Sequence, residues 1–189
     1  MMNKVITVPN CITACRIAGA ILLLFLTPLS VAFYVVYSLC GFSDVLDGLI
    51  ARATRTTSEF GAKLDSVADL TFYTVMMLKI LPVLWELLPH WIWFAVAGVL
   101  LVRLSAYGVA AVRYRRFASL HTYLNKFTGL MLFAVPYFLS LPFAVGYCFT
   151  VCAVGGLSSL EELVMHLLNR EYKTNVKSIY QMVRANKMN

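Results

Sequence analysis

The chain has 189 residues, of which 60% are hydrophobic and 13% charged, and a net charge of +7, with a mean hydropathy of +0.77 and a pI near 9.3. A typical soluble domain is roughly 45–50% apolar and about 25% charged. A soluble fold of this size cannot hide so much apolar surface, so one all-α integral membrane domain over residues 1–189 is expected, its positive charge serving membrane topology rather than nucleic acid.

Residues 1–10, MMNKVITVPN, read as a surface segment ending in a Pro-Asn turn. Residues 12–27 form the first apolar helix, and TPLS at 27–30 turns the chain. The second helix is expected over 31–52, because nothing breaks it and Gly48 alone need not. ATRTTSEF at 53–60 is a polar loop, with Ser58 as N-cap of a third helix over 59–80. PVLWELLPH, bounded by Pro82 and Pro89, reads as a loop. A fourth helix follows over 91–114, a fifth over 121–139 and a sixth over 143–168. Each is about long enough to cross a ~30 Å apolar core. The first apolar run has no small-residue cleavage site and is expected to remain as a span. The tail, 169–189, is basic and has apolar residues at helical spacing, as an amphipathic helix on a membrane surface would.

Six spans put both termini on one side. Lys4, Arg16, Arg52, Arg55, Lys63, Arg113, Arg115, Arg116 and the basic tail fall on that side. Only Lys79 approaches the other side. The positive-inside rule then makes both termini cytoplasmic, in a bacterial-type inner or plasma membrane, with Trp85, Trp91 and Trp93 as an outer aromatic belt. Cys11, Cys15, Cys40, Cys148 and Cys152 form no CxxC pair and read as small core residues.

All four aspartates of the chain, Asp44, Asp47, Asp65 and Asp69, lie within 26 residues. Asp44, Asp47, Gly48 and Ala51 share one face of the second helix, and Gly61, Asp65 and Asp69 one face of the third. The short loop between these helices lets the two acidic faces meet at the cytoplasmic ends. Four carboxylates there repel unless protonated or bound to cations. An all-oxygen donor set without His or Cys suits Mg²⁺ or Mn²⁺ rather than zinc. Gly48, Ala51 and Gly61 clear a slot beside the carboxylates, and Arg52 reaches phosphate oxygens from its rim. Together these features suit a diphosphate substrate. Close packing of the two helices explains the small residues but not the aspartates. Intramembrane carboxylates also mark ion pathways, so an ion carrier or channel is the reading from a different class; it has no need of the fixed Gly, Ala and Arg set.

Asp44-x-x-Asp47-Gly48-x-x-Ala51-Arg52, eight residues, then Gly61-x-x-x-Asp65-x-x-x-Asp69 resembles the complete motif of the CDP-alcohol phosphatidyltransferase family. Pro9-Asn10-x-x-Thr13-x-x-Arg16 is similar to the start of helix 1 in many members. The resemblance implies a metal-dependent transfer of a phosphatidyl group from CDP-diacylglycerol to an alcohol, with release of CMP. It implies Asp44, Asp47, Asp65 and Asp69 as metal ligands, Asp69 also as the candidate general base, and Gly48, Ala51, Arg52 and Gly61 as the CDP-binding set. It further implies a homodimer.

Arg103, ~15 Å into the fourth helix from its basic end, and Lys126 in the fifth are cations inside spans. They are candidates to hold an anionic acceptor in a pocket next to the aspartates. An anionic acceptor favours glycerol 3-phosphate, with inositol phosphate as a further fit. Against it, Ser66 and Leu70 stand where glycerophosphate-using members often have Pro and Lys, and LDSVAD is closer to serine-using members. Phosphatidylserine synthesis therefore stands as the alternative.

Overall fold

The computed structural model describes residues 7–54, 58–115 and 122–168. The described residues form six helices, α1 (Val8–Phe25), α2 (Val31–Ala53), α3 (Glu59–Leu87), α4 (His90–Tyr114), α5 (Tyr123–Phe138) and α6 (Ala144–Leu168). Among the described residues there is no strand. All but α5 are long and apolar enough to cross a membrane. At 16 residues, α5 is about 24 Å long, shorter than the ~30 Å apolar core. The chain is an all-α, multi-pass integral membrane protein. The basic tail, Lys4, Arg55, Arg116 and the expected helix start at His121 lie outside the described residues.

The chain divides into two compact units, Met1–Leu87 and Leu88–Asn189. In the first, α1 packs along both α2 and α3. Its start differs from expectation. Thr7 caps the helix by accepting from the Asn10 N–H at 3.4 Å, and Pro9 sits in the first turn, where its missing N–H costs nothing. The Pro-Asn pair therefore opens α1 instead of preceding it. The helix approaches α2 closely at Gly19, where an added Cβ would lie 2.7 Å from Cys40 Sγ. Phe33 stacks on Tyr37, and Tyr37 stacks on Phe72 of α3 with ring centroids 5.5 Å apart. At the far end of α1, Lys79 Nζ donates to the Leu24 carbonyl at 2.9 Å, which supplies a partner to a helix C-terminus in apolar surroundings.

Ser58 caps α3 as expected, accepting from the Gly61 N–H at 3.0 Å. The helix then continues through Pro82 to Leu87, where a loop was expected. Proline removes one donor and crowds the preceding turn, but in apolar surroundings a break in the helix exposes more backbone than a local distortion does. In the second unit, α6 packs against α4 and α5, and Val99 of α4 meets Gly155 and Gly156 of α6. Arg113 donates to the Leu167 carbonyl at 2.8 Å, holding the C-terminal end of α6.

Gly19→Leu is expected to force α1 from α2 and cost about 1–3 kcal/mol, the usual range for overpacking. It should read as a lower melting temperature in detergent. Gly146→Ala, whose added Cβ meets nothing within 4 Å, should leave melting unchanged.

Candidate functional site

The buried positions of α1 are Pro9, Asn10, Thr13, Arg16, Ala20 and Leu23. Their spacing of three and four makes one face. Its second half is apolar and its first half polar. Arg16 is only 2% exposed, and a charge buried to that degree needs close partners.

It has four. Arg16 Nη1 pairs with Asp44 Oδ1 and lies 3.2 Å from Asp69 Oδ1. Nη2 lies 3.1 Å from Asp47 Oδ2 and pairs with Asp65 Oδ1. Helices α2 and α3 each contribute two carboxylates, and α1 contributes the cation among them. Asp47 is the buried member, with a side chain 5% exposed, whereas those of Asp44, Asp65 and Asp69 are 50%, 45% and 42% exposed. Thr13 Oγ1 donates to Asp47 Oδ2 at 2.8 Å and lies 2.9 Å from the Pro9 carbonyl. A hydroxyl has one proton, and the charged oxygen is the stronger acceptor. Asp47 is thus fixed at the floor of the cluster, and the other three form an accessible rim.

Oxygens of Asp44, Asp47 and Asp65 lie within 4.8 Å of one another. The donors are all carboxylate oxygens, and four negative groups share one guanidinium. The residues fit a hard divalent cation. Asp69 stands outside that group of three and is joined to it through Arg16.

Six motif residues, Asp47, Gly48, Ala51, Arg52, Gly61 and Asp65, line one cleft of about 210 Å³ together with Pro9, Asn10 and Thr13. The two glycines differ in what surrounds them. A Cβ on Gly48 would meet only the Arg52 Nη2 at 3.8 Å, so it would project into the cleft. A Cβ on Gly61 would lie 2.9 Å from Asn10 Oδ1 and 3.2 Å from Ser58 Oγ. Gly61 thus lets α3 come close to α1, a packing role with a different helix from the one expected.

The profile of the CDP-alcohol phosphatidyltransferase family matches residues 6–161, which include both units' described helices up to the later part of α6. The chain belongs to this family.

Three curated phosphatidyltransferase relatives show its range. A CDP-diacylglycerol–serine O-phosphatidyltransferase of Methanocaldococcus jannaschii is 34% identical over 74 residues, 39% of this chain and 34% of the relative. A CMP-forming cardiolipin synthase of Streptomyces coelicolor is 33% identical over 99 residues, 48% of this chain and 45% of the relative. A CDP-diacylglycerol–glycerol-3-phosphate 3-phosphatidyltransferase 2 of Arabidopsis thaliana is 40% identical over 81 residues, 36% of this chain and 32% of the relative. The chain thus spans less than half the length of each of these relatives. No solved structure gave a significant match.

The two remaining site candidates of this phosphatidyltransferase-family chain lie in its second unit. Arg103 of α4 pairs with Glu162 of α6 and donates to Asn125 Oδ1 of α5 at 2.9 Å. Glu162 is 1% exposed, so Arg103 first neutralises a buried carboxylate. Lys126 is exposed on α5. Arg16 and Thr13 were carried in the sequence only as part of the helix 1 pattern, and Arg16 was grouped with the topology-setting cations. The sequence does carry one signal, a cation inside an apolar helix, which marks a functional position; the face on which it lies is shown only by the structure.

Thr13→Val keeps the side-chain shape and removes the donor to Asp47. A melting temperature lowered by the equivalent of about 1–2 kcal/mol is expected, with Thr13→Ser close to wild type. Equal melting of all three proteins would contradict the hydrogen bond's role.

Proposed function

We propose that the protein transfers a phosphatidyl group from CDP-diacylglycerol to a small alcohol and releases CMP, in a reaction that depends on Mg²⁺ or Mn²⁺. The observation that carries this reading is the cleft in which Asp47, Gly48, Ala51, Arg52, Gly61 and Asp65 come together beside the four-carboxylate cluster, in a chain of this family. Asp44, Asp47 and Asp65 would hold the metal, with Asp69 beside them as a further ligand or as the base. When bound, the metal neutralises diphosphate charge and favours departure of CMP.

The chain's own groups supply the rest. Thr13 and Arg16 fix Asp47. The open side of Gly48 admits the CDP moiety, and Arg52, exposed at the cleft, binds its phosphates. Asp69 takes the proton of the acceptor hydroxyl. The acceptor oxygen bonds to the phosphorus that carries the diacylglycerol, and the bond from that phosphorus to the CMP oxygen breaks. The site and both termini face the cytoplasm, where the water-soluble nucleotide is. A homodimer is the expected assembly.

Glycerol 3-phosphate is our first acceptor, an anionic alcohol suited to a chain that carries the cations Arg103 and Lys126 within its helices. Serine is the second reading, favoured by Ser66 and Leu70, which stand where glycerophosphate-using members often have Pro and Lys, and by the similarity to a serine O-phosphatidyltransferase. Purified protein given CDP-diacylglycerol and Mg²⁺ or Mn²⁺ should release CMP only with the accepted alcohol, and EDTA should abolish release. Product lipid identified after separate incubation with glycerol 3-phosphate, serine, inositol and inositol phosphate decides the acceptor. Product from serine but not from glycerol 3-phosphate overturns our first choice. Absence of metal-dependent CMP release with every acceptor overturns the proposal.

Three variants separate the cleft from its frame. Asp69→Asn should lower the rate on the order of 10²–10⁴-fold, the usual contribution of a general base, without lowering the melting temperature. Gly48→Val should lose CDP binding, measured by calorimetry, and keep its melting temperature, whereas Gly61→Val should lose stability through the Asn10 contact.

A further inference from the structure

We infer that Arg16 is a displaceable internal counter-ion, which gathers the four carboxylates and gives them up to a divalent cation, so that its charge sets how tightly the site takes a metal. This rests on the metal-dependent reading above, and adds to it a residue that is neither a ligand nor a base.

Two independent features point to exchange rather than to a permanent brace. The first is overlap of partners. Asp44, Asp47 and Asp65, the carboxylates grouped closely enough to share one ion, are three of the four that Arg16 holds. A guanidinium and a divalent cation drawn to the same carboxylates repel at short range. Arg16 therefore competes with a metal for the oxygens it organises.

The second feature is what the guanidinium leaves unsatisfied. Its two Nη atoms serve four carboxylates, yet its Nε is buried without an acceptor. The side chain is 1% exposed, so water does not make up the loss. Most buried N–H groups in a folded protein are matched, so an unmatched one on this guanidinium calls for a reason. Its present contacts therefore do not use all of its donors, and a guanidinium released from carboxylates is suited to a phosphate oxygen. Three of the four carboxylates are about half exposed, which gives a cation access to the rim while Thr13 keeps Asp47 in place.

The test is Mn²⁺ binding by wild type, Arg16→Gln and Arg16→Lys in detergent, without substrate, read by electron paramagnetic resonance of the free ion. Arg16→Gln should bind Mn²⁺ roughly tenfold or more tightly than wild type, since a like charge at close range costs more than the ~1.4 kcal/mol this represents. Arg16→Lys keeps the charge as a compact point that cannot span four carboxylates, and should fall between them. With EDTA, Arg16→Gln should melt below wild type, and saturating Mn²⁺ should close the gap. A brace alone predicts the reverse, because a loosened cluster binds metal more weakly. Equal or weaker Mn²⁺ binding by Arg16→Gln overturns the inference and leaves the enzyme reading intact; failure of wild type to bind Mn²⁺ at all overturns both. If Arg16→Gln does not purify as a single species, wild type carries the test. Phenylglyoxal modification of Arg16, mapped by mass spectrometry, should be faster in Mg²⁺ than in EDTA, and equal rates overturn the inference.

Discussion

One guanidinium among four carboxylates governs the first unit of this protein. In water, Arg16 and its aspartates would each be well solvated. In a helix set into an apolar medium, a single unpaired charge would cost far more than the unit can spare. The cluster is therefore all or nothing: α1 can bring Arg16 inward only if α2 and α3 bring acids to meet it. Removal of Arg16 would leave the buried Asp47 uncompensated among three further carboxylates, a larger loss than the pair contributes when intact.

That requirement explains details of packing that otherwise look unrelated. Gly19 faces Cys40, so α1 lies close to α2 one turn beyond Arg16. Gly61 faces Asn10, so α3 begins close to the start of α1. Between these contacts, Thr13 and Arg16 reach the acids on both neighbouring helices. Gly48 has no such contact. Its empty side is turned to the cleft, and the contrast with Gly61 separates a glycine kept for packing from one kept for space. The motif's small residues thus serve two purposes that their spacing alone cannot tell apart.

Apart from the end of α3, which runs on to Leu87, the helices were legible in the sequence to within a few residues, because apolar runs separated by polar turns leave few alternatives in a membrane. The errors have physical causes. Pro9 was read as ending a surface segment, but proline suits a first helical turn, and Thr7 supplies the cap. Pro82 was read as a terminator, but an apolar surrounding favours continued helix. At the site, the aspartates and glycines declared themselves by spacing within single helices. Arg16 did not, because its role depends on which face of α1 meets α2 and α3, and that is a tertiary fact. A polar stripe on α1 was present in the pattern, and its meaning required the acids opposite. Arg103 was legible as an intramembrane cation, whereas its partner Glu162 lies 59 residues away on a helix that the sequence marks mainly as apolar.

Anomalous diffraction from crystals grown with Mn²⁺ tests most directly whether this acidic cluster is a metal centre. The expected result is a strong anomalous peak within direct ligand distance of carboxylate oxygens from Asp44, Asp47 and Asp65. Density for Mn²⁺ only at sites remote from these residues, with Arg16 still holding all four carboxylates at saturating metal, would contradict it.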